Sequence, residues 1–185
     1  MASEVDICNM ALIEVGGARI MSLGEDNKPG RLCKLYYPLV RDMILRGHPW
    51  NFAQKRAELA LTTDTPSFEY GFAFQLPSDC LKVIKTDDQY DVFKIEGKTL
   101  LTNNSSCSIL YTSRVEDTTH FDSLFIEAFA AKLGGKLCYN LSDNNTLVQL
   151  MEARYKSTLR QAKSMDGQEG IIDNVEADEW LNSRG

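Results

Sequence analysis

Histidine and cysteine are the residue types in this chain that could carry acid–base or nucleophilic chemistry at neutral pH. There are two histidines, His48 and His120, and five cysteines, Cys8, Cys33, Cys80, Cys107 and Cys138. His48 lies in the densest stretch, "RGHPWNFAQKRAELA", residues 46–60, beside Pro49, Trp50 and Phe52. A histidine base acting on Cys33, Cys80 or Cys107 would make a cysteine-dependent hydrolase. No spacing supplies an orienting third group for that base, and each thiol has apolar or strand-forming neighbours. The competing reading makes the stretch a structural joint. Pro49 biases His48 towards extended backbone and ends a helix, while Trp50 and Phe52 plug the end of a helical bundle. The joint is the favoured reading.

Other chemistries find less support. His48 and His120 are far apart, and no His-x-x-x-His, Cys-x-x-Cys or calcium-loop spacing occurs. The acids of "GEDNKPGR" read as a solvated turn. "EVGGAR" lacks the Gly-Lys-Ser/Thr close and the preceding strand of a phosphate loop, and reads as a helix stop. No metal and no cofactor is expected. Five scattered cysteines argue for free, mostly buried thiols in a reducing compartment. The opening "MASEVDICNM" is acidic where a signal peptide is basic and then apolar, so cytosolic synthesis is expected. No run approaches the roughly 18 apolar residues of a membrane span.

The net charge of −6 is unevenly placed. Residues 166–185 hold six acids and one arginine, leaving 20 acids against 19 bases elsewhere. A chain that grips phosphate backbones shows a basic stripe, and here Lys and Arg are scattered singly. Sequence-specific nucleic-acid binding is not expected.

The elements around the joint follow from periodicity. Ser3 and Asp6 form a reciprocal cap before a first helix whose Cys8, Ala11, Leu12 and Val15 share a face, with Gly16-Gly17 as its stop. A second helix is expected to bury Leu32, Leu35, Tyr36, Leu39 and Met43, to pair Asp42 with Arg46, and to kink or restart at Pro38. The period then drops to two. "AELALT", "FEYGFAFQL", "CLKVIKT", "YDVFKIEGKTLLT" and "CSILYTSRV" read as about five strands of one compact antiparallel sheet. Phe68, Tyr70, Phe72, Phe74 and Leu76 should share a face, and Asp87-Asp88 and Glu96-Gly97 are turn signals.

Helical periodicity returns in "SLFIEAFAAKLGGKLCYNL". Ile126, Phe129, Ala130, Leu133 and Leu137 make one face, flanked by Leu124, Phe125 and Ala128. Ala128, Ala131 and Gly135 form a small-residue stripe open to close helix approach. Phe125, Ala128, Phe129, Ala131 and Gly135 are therefore expected at a subunit interface or in the bundle core. A fourth helix after "SDNN" carries Leu147, Leu150, Met151, Tyr155, Leu159 and Ala162, with a Glu152–Lys156 pair outside. The fold class is α+β. A four-helix bundle, residues 1–51 and 117–165, holds a small antiparallel β lobe, 52–116, inserted between helix pairs, and an extended acidic tail spans 166–185. Ile171, Ile172, Val175, Trp180 and Leu181 punctuate that tail, which is either a solvated end or a peptide that orders on a partner.

Three stretches, "ICNMALIEVGGARIMSL", "LYYPLVRDMILRGHPWNFAQKRAELA" and "YGFAFQLPSDCLKVI", closely resemble the head-to-tail adaptor family of short-tailed bacteriophages, the tail tubular protein A family. With the late pair "FIEAFAAKLGGKLCYNLSDN…LMEARYKSTLRQAKSMDGQEG" the resemblance covers most of the chain. Arginine, then a proline or glycine, then Trp-Asn-Phe is its most specific element. The resemblance implies a structural virion protein at the head–tail junction, assembled in the host cytoplasm, and not an enzyme. Family members form a dodecameric ring with copies of themselves beneath the portal protein and receive a tail nozzle, with a fibre or spike as a further neighbour. DNA passes through the ring without specific binding, and no membrane is involved in the assembled state. Carried onto this chain, portal docking falls on Gly170–Gly185, anchored by Ile171, Ile172, Val175 and Trp180, with Leu181 beside them. The competing readings are a head-completion connector of a long-tailed phage and the His48-dependent hydrolase.

Overall fold

The computed structural model describes residues 2–88, 90–142 and 144–169, and the docking residues Ile171, Ile172, Val175, Trp180 and Leu181 lie outside them. The described residues form four α-helices and two small antiparallel sheets.

Helix α1, Glu4–Glu14, starts where its cap requires. Ser3 Oγ accepts from the Asp6 amide at 3.1 Å and the Asp6 carboxylate accepts from the Ser3 amide at 2.8 Å. It stops at Val15, followed by Gly16 at φ 71, a left-handed conformation that glycine adopts without penalty. Helix α2, Lys28–Arg46, is capped by Asn27 and runs through Pro38 as one element. The Glu25 carboxylate before it accepts from the amides of Met21 and Ser22, so this acid serves the turn. Helix α3, Ser123–Leu141, is capped by Asp122, and the Asn144 side chain accepts from the Leu147 amide at the start of α4, Asn145–Glu169.

Helix α3 packs against α1, α2 and α4. Gly134 is the point of closest approach: a Cβ there would lie 3.4 Å from both the Ala11 carbonyl of α1 and Met151 Sδ of α4. Phe125, Ala128, Phe129 and Ala131 are fully buried within this one chain, and a Cβ added at half-buried Gly135 would lie 3.6 Å from Met151 Cβ. The small-residue stripe therefore admits α4, and the apolar girth of α3 is covered by its own chain rather than left for a neighbour.

Helix α2 buries only part of the expected face, with Leu32 and Tyr36 half-buried against the helical core. Cys33, Tyr37, Val40 and Ile44 are buried, with the Tyr37 ring tilted against Phe129 at 4.8 Å, whereas Leu35, Leu39 and Met43 stand in solvent. The two expected surface pairs are also replaced. Asp42 meets Arg41 at 3.0 Å and Arg114 at 2.8 Å, not Arg46. Glu152 meets Lys132 of α3 at 2.8 Å, not Lys156. In both cases a partner from another element, held by packing, outcompetes the local one, whose worth on an exposed helix is only about 0.3–0.5 kcal/mol.

Between α2 and α3 lie seven strands: β1 Gln54–Glu58, β2 Ala60–Leu61, β3 Phe72–Gln75, β4 Cys80–Thr86, β5 Lys94–Glu96, β6 Thr99–Thr102 and β7 Ser108–Ser113. They make two sheets, not one, in the orders β1-β7-β4 and β2-β3-β6-β5. The chain changes sheets at Leu59, whose amide bonds the Cys107 carbonyl between β1 and β2. Phe74 and Leu100, opposite one another in the second sheet, meet Val83, Ile109 and Tyr111 of the first in a core separate from that of the helices. The run "FEYGFAFQL" is strand only at its centre. Glu69, at φ 66, breaks it, and Phe68 is 75% exposed while Phe74 and Leu76 are buried. Among the described residues no helix is long and apolar enough to cross a membrane.

Candidate functional site

The stretch 46–60 folds into a corner. Gly47 caps α2, residues 48–50 turn, Asn51–Ala53 form a single 3-10 turn, and β1 begins at Gln54. Trp50 is 1% exposed and its indole N–H donates to the Ile44 carbonyl at 3.1 Å, an acceptor in the last turn of α2 that it shares with the Gly47 amide. Its ring meets Phe125 edge-on at 5.1 Å and stacks on Phe52 at 6.0 Å, and Phe52, Phe121 and Phe125 close on one another at 4.8–5.8 Å. Aromatic edges thus fill the end of the helical body where the sheets begin.

His48 has a partner that the sequence reading placed elsewhere. Its Nε2 lies 2.9 Å from Asp166 Oδ2, and Asp166 Oδ1 accepts from the Asn51 amide at 2.9 Å. The Asn51 side-chain amide donates to the Asp166 carbonyl at 2.6 Å, and Lys163 Nζ donates to the Gly47 carbonyl at 3.3 Å, a cation at the negative end of α2. Asp166 belongs to α4, which runs on through Gly167 to Glu169, so residues 166–169 are helix and not part of an extended tail. The available signal was periodic: Leu159, Ala162 and Asp166 share one helical face. The acidic composition and the glycine hid it.

An Asp–His pair supplies two parts of a catalytic triad, so the thiols decide the matter. Cys8 and Cys33 are buried together in the helical core, and the hydrogen bond to Cys33, with burial, pushes the Cys8 thiol up. Burial also raises Cys80, with the neighbouring Asp79 adding to it, and pushes Cys107 up to about 11. The hydrogen bond with Cys8 lowers Cys33 instead, but Cys33 is 0% exposed in the helical core, and raised or fully buried thiols are poor nucleophiles. His48 instead stands edge-on to Trp50 at 4.7 Å. His120 is exposed, 3.8 Å from Asp117, and among the described residues no three His, Cys, Asp or Glu side chains are grouped to hold a metal ion. His48, Pro49, Trp50 and Phe52 come together as a joint, tied to α4 by Asp166.

Two of the larger recesses among the described residues bear on the site. One, about 280 Å³, lies at this corner between Phe52, Phe121, Leu124, Met165 and Asp166. The other, about 720 Å³, is an open groove on the second sheet beneath residues 61–70, edged by Lys94 and Glu96.

Asp166 gives a measurable consequence. Asp166→Ala removes a carboxylate that satisfies His48 and the Asn51 amide, and should lower stability by about 1–3 kcal/mol in urea unfolding. Asp166→Asn, which keeps an acceptor for one of the two, should cost less. Compared with protein-family models and with curated proteins, the chain finds no match.

Proposed function

We propose that the protein is a structural adaptor that forms a ring between the portal of a short-tailed phage and its tail nozzle, completing the DNA-filled head. In this reading the helices act as a four-helix bundle that builds the ring wall, and the sheet lobe points towards the tail with its open groove available to a nozzle protein. Residues 170–185 dock on portal. The observation that carries the reading is the corner. Its Trp-Asn-Phe, the most specific element of the resemblance, serves as the joint between helical body and sheets, a structural use rather than a catalytic one. Asp166 and Lys163 fix the end of α4 to that same joint, so the docking segment leaves from a defined point. Seven strands weigh against the mostly helical connectors of long-tailed phages.

The test is assembly. The purified chain is mixed with a candidate portal ring and the product is weighed by native mass spectrometry. The reading expects the ring to gain multiples of the 20.8 kDa chain, in a fixed ratio to portal subunits. It also expects removal of residues 170–185 to abolish the gain. A portal ring of unchanged mass would overturn it.

A further inference from the structure

Leu35, Leu39 and Met43 of α2 are 56%, 60% and 42% exposed, at spacings of four residues, with exposed Pro38 on the same side. They form an apolar stripe along a helix whose opposite face is buried. The stripe has a basic border. Lys28, Arg31, Lys34 and Arg46 are all exposed beside it. Arg31 pairs with Asp26 at 2.7 Å and Arg46 donates to the Leu81 carbonyl, a neutral partner, so its charge is retained. Asp42, the one acid within α2, is engaged by Arg41 and Arg114, and Glu116 pairs with Arg41 at 3.4 Å.

We propose that the chain's own residues 170–185 dock on this α2 stripe. The segment has the complementary composition: Ile171, Ile172, Val175, Trp180 and Leu181 as apolar anchors, with Asp173, Glu176, Asp178 and Glu179 as acids against a single arginine. It also starts within reach. Lys163 is bonded to the Gly47 carbonyl and Asp166 to Asn51, so the last turns of α4 pass the C-terminal end of α2 before the helix finishes at Glu169, by the corner recess with Phe52 and His120. From Met43 back to Leu35 the stripe spans about 12 Å of helix axis. Sixteen extended residues reach about 50 Å, ample to follow it.

Other occupants fit less well. Antiparallel pairing with α2 of a second copy would set Lys28 and Arg31 against Arg46, like charges across an apolar seam. The recess at the corner is lined by Asp122, Asp166 and Glu169, which repel an acidic peptide. The contact does not depend on the adaptor reading. If both hold, portal must draw the segment off α2, and the free protein keeps its stripe covered until it does.

The test uses the full chain without portal. A benzophenone amino acid replaces Leu39, and equal amounts of ¹⁵N-labelled and unlabelled protein are mixed and irradiated. Crosslinks should map to residues 170–185 and join only like-labelled partners. Crosslinks to α2 of another copy, or mixed-label crosslinks to 170–185, overturn the assignment in favour of a dimer or an exchanged segment. In parallel, Leu35→Asp with Leu39→Asp should speed cleavage after Glu176 and Glu179 by a glutamate-specific protease by about tenfold. Both changes are at exposed positions, so the unfolding midpoint should stay near that of the parent. Raising salt should also speed cleavage of the parent chain. Equal cleavage rates for variant and parent overturn the proposal.

Discussion

Trp50→Ala is expected to destabilise the protein by about 3–5 kcal/mol, the range for deleting a buried large aromatic. For a chain of this length that corresponds to a fall in melting temperature of roughly 6–20 °C. Three losses act together. The cavity left by the indole opens onto Phe52 and Phe125. The Ile44 carbonyl, near the end of α2, loses the second of its two donors and keeps only the Gly47 amide. The edge-on contact with His48 goes as well, loosening the group that Asp166 grips. Trp50→Phe separates these, since it keeps most of the ring packing but deletes the N–H, and should cost about 1–2 kcal/mol. Urea unfolding followed by circular dichroism reads both. A loss below 1 kcal/mol for the alanine variant would mean that the corner is not a structural joint, and the hydrolase reading would need reopening.

Wherever short-range chemistry decides the outcome, the sequence was readable. The Ser3–Asp6 cap and the helix stop at Gly16 each depend on residues within a few positions of one another. The joint was readable for the same reason, because a proline and two large aromatics in a row leave few local solutions. Competition between equivalent partners defeated the reading elsewhere. Helix α2 carries two apolar stripes, through Cys33, Tyr37, Val40 and Ile44 and through Leu35, Leu39 and Met43, and periodicity alone cannot rank them. The inward stripe is the one that brings Tyr37 against Phe129. Likewise, alternation from Phe68 to Leu76 marks strand tendency without revealing where a pairing partner exists. Only Phe72–Gln75 find one, opposite Thr99–Thr102. The change of sheet at Leu59 involves contacts with Cys107, almost fifty residues on, which no local pattern encodes. Asp166 was missed at the candidate site because its partners, His48 and Asn51, are more than a hundred residues away.

Phe125→Ala should be as damaging as the tryptophan change, about 3–5 kcal/mol, and it separates the two roles that the sequence left open for α3. The side chain is fully buried inside one chain and touches Trp50, Phe52, Phe121 and Phe129. If Phe125 belongs to the core of a single subunit, the loss will be the same at every protein concentration. If it sealed a contact between subunits, the unfolding midpoint of the parent would rise with concentration and the variant would lose that dependence. Dilution series in urea distinguish the outcomes directly. The double variant with Trp50→Ala sharpens the point: the rings meet edge-on at 5.1 Å, so the two losses should fall short of additivity by about 0.5–1.5 kcal/mol. Strict additivity would mean that the rings act independently, and the corner would then not transmit the position of the sheets to α3. Coupling at this pair would let one aromatic cluster hold α2, α3 and the start of β1 in a single geometry.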